Sequence, residues 1–93
     1  MNKEAYKVSE YKIMFAVLEI LELEGEKYGF ELVSKIVEIF NVSRYFAHKI
    51  IEKMLSEKLI SRRMEKRFPY RRIFYLTEDG RKILKDDPWK ILK

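Results

Sequence analysis

The sequence predicts a mainly α fold with a small β-hairpin (α+β): a three-helix core, the hairpin and a C-terminal helix, in one domain over residues 1–93. Three observations carry this. Apolar residues recur at helical spacing in three successive stretches before residue 58. From Leu59 the spacing changes to the alternation of strands on either side of a proline-containing turn. With no cysteine and one histidine, neither a disulfide framework nor a multi-histidine metal site is available, so apolar burial must hold the fold.

Ser9 reads as the cap of a first helix running to about Leu23, with Val8 as its hydrophobic staple. Ile13, Ala16, Val17, Ile20 and Leu21 form one apolar stripe, and Met14, Phe15 and Leu18 add a second flank. A helix apolar on more than one side is central to the core or has a partner. Gly25 suits the left-handed position that ends it. A second helix follows Gly29, its buried stripe expected at Phe30, Val33, Ile36, Val37 and Phe40.

Asn41-Val42-Ser43 is a tight connection in which Ser43 caps a third helix. That helix carries Ala47, Ile50, Ile51, Met54 and Leu55 on one side, and Arg44, Tyr45, His48, Lys49, Glu52 and Lys53 on the other. Two helices joined by so short a turn predict a helix-turn-helix over about 29–58. Leu59 to Glu65 then reads as a strand, Lys66 to Tyr70 as a turn around Pro69, and Arg71 to Leu76 as the returning strand. Phe74 and Leu76 fall on one face of it, Ile73 and Tyr75 on the other. Thr77 caps a fourth helix over Glu78 to Lys85, and Asp87-Pro88 opens a last turn over Trp89 to Leu92. The C-terminal helical region thus spans about 77–92.

Charge is distributed unevenly along the chain. Residues 1–43 hold five basic and eight acidic side chains, whereas residues 44–72 hold ten basic and three acidic. A middle third this basic is an electrostatic footprint for a polyanion, although a solvated charged surface of the kind common in proteins of hot environments competes with that reading. Three scattered glycines make no phosphate-cradling loop, and His48 has no nucleophile or second acid arranged with it. The chain is therefore not expected to be an enzyme or to need a cofactor. The apolar run from Ile13 to Leu23 is interrupted by Glu19 and Glu22 and is too short to span a bilayer. No export leader opens the sequence, so a cytoplasmic location is expected.

Three strings sharpen the reading. Tyr28-Gly29-Phe30-Glu31-Leu32 is similar to the opening of the second helix in PadR-type regulators. Met54 to Arg62, reading Met-Leu-Ser-Glu-Lys-Leu-Ile-Ser-Arg, resembles the segment that leads from recognition helix to wing in MarR- and PadR-like proteins. Arg71-Arg72-Ile73-Phe74-Tyr75-Leu76-Thr77-Glu78-Asp79-Gly80-Arg81 resembles the string that closes the PadR wing. The resemblance covers Gly29 to Lys85 and is to winged helix-turn-helix transcriptional regulators. The short tail places the chain nearer the minimal kind found in archaea and archaeal viruses, with the host cytoplasm as its location if the origin is viral. Lys58 departs from the pattern by standing where the family usually has glycine.

The resemblance implies a sequence-specific regulator of double-stranded DNA, with a recognition helix over 43–58 in the major groove and a basic wing over 62–72 on backbone or minor groove. The DNA-binding residues it implies are Arg44, Tyr45, His48, Lys49 and Lys53 on the helix, and Arg63, Lys66, Arg67, Tyr70 and Arg71 on the wing. Phe46 is expected to close the core instead. Arginine suits either wing contact through its fork of donors. Edge protection by charge is the competing explanation of the wing cations, but Arg62, Arg63, Lys66, Arg67, Arg71 and Arg72 face Glu65 alone there. The doubly apolar first helix and the Trp89 tail imply a homodimer. No small-molecule effector site is evident. The alternative is a winged-helix protein–protein interaction module without specific DNA binding.

Overall fold

A computed structural model of the protein describes residues 8–86. Its elements run α1 (Val8–Glu24), β1 (Lys27–Tyr28), α2 (Gly29–Phe40), α3 (Arg44–Ser56), β2 (Ile60–Met64), β3 (Arg72–Leu76) and α4 (Glu78–Asp86). The fold class is the expected one: four helices and a small antiparallel sheet. The last turn expected over Asp87 to Leu92, with Trp89, Ile91 and Leu92, lies outside the described residues.

Helix α1 is the centre of the core. Tyr11, Ile13, Met14, Phe15, Val17, Leu18, Ile20 and Leu21 are all buried within the single chain, each worth about 1.5–3 kcal/mol of transfer free energy relative to exposure. This corrects the argument for a partner helix: both apolar flanks of α1 are satisfied by its own chain. Ser9 is not the cap, because the helix already includes Val8. Gly25 does end the helix at φ +84°, its N–H donating to Leu21 O at 3.1 Å.

The buried stripe of α2 is Leu32, Val33 and Ile36, with Val37 and Phe40 partly covered. Phe30 is not part of it. It sits in the first turn, beyond the end of the core, where its ring is exposed and stacks on Tyr28 at 5.6 Å and 9°. Tyr28 belongs to a strand that periodicity did not reveal, because two residues carry no alternation. β1 pairs antiparallel with β3, Lys27 opposite Phe74 and Tyr28 opposite Ile73, so the sheet order is β1-β3-β2. The Tyr28 N–H then donates to Glu31 Oε1 at 2.9 Å and opens α2.

α4 closes the core against α1. Thr77 caps it as expected, its Oγ1 accepting from Gly80 N at 3.1 Å. Gly80 is a packing requirement: a Cβ there would run into the Leu59 carbonyl oxygen and stand 2.8 Å from Leu76 Cδ1.

Candidate nucleic-acid interface

The helix-turn-helix is built as its sequence implies. Asn41 ends α2 in the left-handed region (φ 53°, ψ 47°), and its N–H donates to Val37 O at 2.9 Å. Two residues later Ser43 opens α3, its Oγ accepting from Phe46 N at 3.0 Å. Ala47, Ile50, Ile51 and Met54 pin the inner face of α3 into the core, and Phe46 is half-buried beside them. That fixes the helix's rotation and leaves Arg44, Tyr45, His48 and Lys49 exposed on one face. Tyr45 is 78% exposed, far more than a core aromatic would be.

Lys53 does not join that set. It is half-buried and its Nζ lies 3.4 Å from Oε1 of Glu10, a carboxylate almost wholly buried on α1. The physical reason is its place on the flank of α3 that turns toward α1, where the buried anion holds the ammonium.

The end of α3 answers the question that Lys58 poses. Lys58 takes the left-handed conformation, φ +61°, that glycine would supply more cheaply. Its N–H donates to Leu55 O and that of Leu59 to Met54 O, both at 3.0 Å, which is a Schellman termination. Thr77 braces the same turn, its Oγ1 lying 2.7 Å from Lys58 O and 2.8 Å from Leu59 O. The hairpin thus leaves α3 at a fixed angle.

β2 and β3 run in register from Ile60 opposite Leu76 to Met64 opposite Arg72; β2 is one residue inside its expected bounds at each end, and β3 starts one residue late and ends at Leu76 as expected. The hairpin closes with Glu65 N donating to Arg71 O at 2.9 Å, and its tip with Tyr70 N donating to Arg67 O at 2.9 Å. The Phe68–Pro69 bond is cis, and residues 66–69 form bends and a turn outside the sheet.

Tertiary contacts divide the cations into two groups. Arg63 pairs with Glu26, and Arg62 Nη1 lies 3.7 Å from Glu52 Oε1. Arg71 packs its guanidinium over the rings of Tyr28 and Phe30, 5.4 and 5.5 Å from their centroids. Stacking of this kind leaves the N–H edges of the guanidinium open to an anion. By contrast Arg44, Lys49, Lys66, Arg67 and Arg72 are exposed, with no carboxylate in ion-pair range among the described residues. The two elements also share a wall. Arg44 and His48 of α3, Phe30 of α2, and Arg71 and Arg72 of the wing line one groove of about 290 Å³. Phe30 and Tyr28, which hold Arg71 there, were not among the expected site residues; the clustering of the two rings at the start of the second helix was their only trace.

A helix-turn-helix whose second helix is followed by a β-hairpin, with a further helix closing the core, is a winged helix, and this one is similar in fold to solved PadR- and MarR-family regulators. The smu.1704 protein of Streptococcus mutans superposes with a TM-score of 0.77 at 22% identity, over 94% of this chain and 84% of that one. A PadR-like transcriptional regulator from Bacillus cereus gives 0.74 at 25% identity, over 89% and 85%. A PadR family transcription regulator from Clostridium difficile gives 0.69 at 21%, over 86% and 88%. A MarR family regulator from Neisseria meningitidis is a further match. No family model and no curated protein sequence matches the chain. Among the described residues no helix is long and apolar enough to cross a membrane.

Proposed function

We propose that the chain is a sequence-specific regulator that binds double-stranded DNA, with α3 in the major groove and the wing on the flanking backbone or minor groove. The observation that carries this reading is the set Arg44, Lys49, Lys66, Arg67 and Arg72, exposed and outside ion-pair range of any carboxylate among the described residues, on two elements whose Arg44, Arg71 and Arg72 line one groove with a single acid, Glu52. Arg44, Lys66, Arg67, Arg71 and Arg72 neutralising phosphates correspond to a log–log salt slope of about −4 to −5 per protomer. Tyr45, His48 and Lys49, exposed in the early turns of α3, are the base readers. Lys66, Arg67, Arg71 and Tyr70 position the wing.

Two-fold pairing is part of the proposal. α1 no longer supports it, since its stripes are buried. Its support is a groove between the end of α1 and α4, where Leu23, 81% exposed, and the buried Leu84 lie among Glu19, Glu22, Arg81 and Lys85. Both signs of charge about an apolar floor are what an isologous contact requires.

Selection of bound duplexes from a random pool, followed by salt titration, tests the reading. A single recovered motif and a steep salt slope are expected. Alanine at Tyr45, His48 or Lys49 should shift the recovered motif, with a loss of about 1–3 kcal/mol where a base contact is removed. Recovery of no motif, with salt-insensitive binding to a protein, would replace this reading with the protein-interaction module.

A further inference from the structure

Phe68 is 84% exposed, more than any other large hydrophobic side chain among the described residues. It stands with Pro69 at the outermost turn of the hairpin, beyond the Glu65–Arg71 bond that closes the ladder. Tyr70, held at φ +56°, is its ring neighbour, and the two meet edge to face at 6.1 Å and 89°. Tyr70 is itself 53% exposed, so the pair is a protruding apolar tip and not a buried cluster. Lys66 and Arg67 precede it, both exposed. Neither has a carboxylate in ion-pair range among the described residues.

We propose that Phe68, backed by Pro69, is a wedge that enters the minor groove of duplex DNA beside the α3 site and partly unstacks one base step. This rests on the DNA-binding reading and goes beyond it, because phosphate contacts need cations only and do not use a phenyl ring. Charge complementarity selects the occupant. Lys66 and Arg67 hold phosphates while the ring, 84% exposed and in edge-to-face contact with Tyr70, gains an apolar partner between bases. Apolar side chains inserted in this way bend DNA by about 20–90° toward the major groove. The favoured step is a flexible pyrimidine–purine step, where unstacking costs least. The wing would therefore contribute specificity through deformability at positions α3 does not touch.

The test uses the full chain and the duplex recovered by selection, carrying 2-aminopurine at successive steps and a donor–acceptor dye pair at its ends. Wild type should raise 2-aminopurine emission at one step outside the α3 site and shorten the end-to-end distance. Phe68→Ala should lose both signals and weaken binding on the order of 10-fold, with an unchanged circular dichroism spectrum. Phe68→Leu should keep the bend, since leucine is also a wedge. If Phe68→Ala binds, bends and brightens the duplex as wild type does, the wedge is wrong and the DNA-binding reading stands. If wild type binds no duplex, both fall. If Phe68→Ala instead abolishes binding to anionic phosphatidylserine vesicles and leaves DNA binding unchanged, the tip is a membrane contact and the wedge is overturned.

Discussion

The base and the tip of the wing are made of similar residues and have opposite fates. At the base, Arg62 and Arg63 are paired with Glu52 and Glu26, the Thr77 hydroxyl holds the Lys58–Leu59 turn, and Gly80 lets α4 press on the Leu59 carbonyl. At the tip, Lys66, Arg67, Phe68 and Tyr70 are exposed, and two backbone hydrogen bonds, Glu65 to Arg71 and Tyr70 to Arg67, give the turn its shape. The lesson is that a run of cations is not one functional unit. Some of these cations have carboxylate partners within the fold; others, among the described residues, have none.

Three variants test that division and a fourth lies away from the wing, in order of their expected effect on folding. Gly80→Ala puts a methyl group against the Leu59 carbonyl and the side chains of Leu76 and Leu18. It should cost about 1–3 kcal/mol of stability, read as a lowered urea midpoint. An unchanged midpoint would show that the base is looser than its geometry implies. Thr77→Ala removes both the acceptor for Gly80 N and the tie to the Lys58–Leu59 turn. A loss of about 0.5–2 kcal/mol is expected in thermal unfolding.

The tip should behave in the opposite way. Lys66→Ala with Arg67→Ala should leave the unfolding free energy within about 0.5 kcal/mol of wild type. DNA binding should weaken about equally for specific and non-specific duplexes, and the log–log salt plot should flatten by about one unit per lost phosphate contact. A double variant that unfolds, or one that binds with an unchanged slope, would erase the distinction between base and tip.

The smallest effect belongs to a site away from the wing. The Lys35 ammonium first, and Lys27 second, hold the Glu24 carboxyl below its usual value. Both lie close, Lys35 at 3.0 Å and Lys27 at 3.1 Å. A depressed carboxylate contributes stability above its unfolded value and loses it as pH falls through the lowered one. Glu24→Gln should therefore flatten the acid limb of the stability profile slightly, with the difference shrinking in high salt because the group is exposed.

Much of the architecture was legible in the residue order because its causes are local. Ser43 caps α3, Asn41 turns the chain between helices, Thr77 caps α4 and Pro69 marks the wing tip, each through a neighbour within about four residues. The exposed face of α3 followed in the same way from helical spacing of Ala47, Ile50, Ile51 and Met54. Lys58 was legible as an anomaly, but only the braced turn around it shows how a non-glycine residue is held at positive φ.

Tertiary structure alone decided which cations have carboxylate partners. Lys53 is drawn to Glu10 across 43 positions, and Arg63 to Glu26 across 37, so no local pattern could reveal these pairings. Phe30 had the right spacing for the α2 stripe, yet the core ends before it and the Tyr28–Arg71 stack takes its ring. β1 exists because β3 lies beside it, not because two residues prefer a strand. The two apolar flanks of α1 predicted a partner, and the chain's own helices and sheet supplied it. Order and periodicity set the elements through near-neighbour geometry; packing distributed the charges and aromatic rings, because their partners lie far away in sequence and meet only once the core has closed.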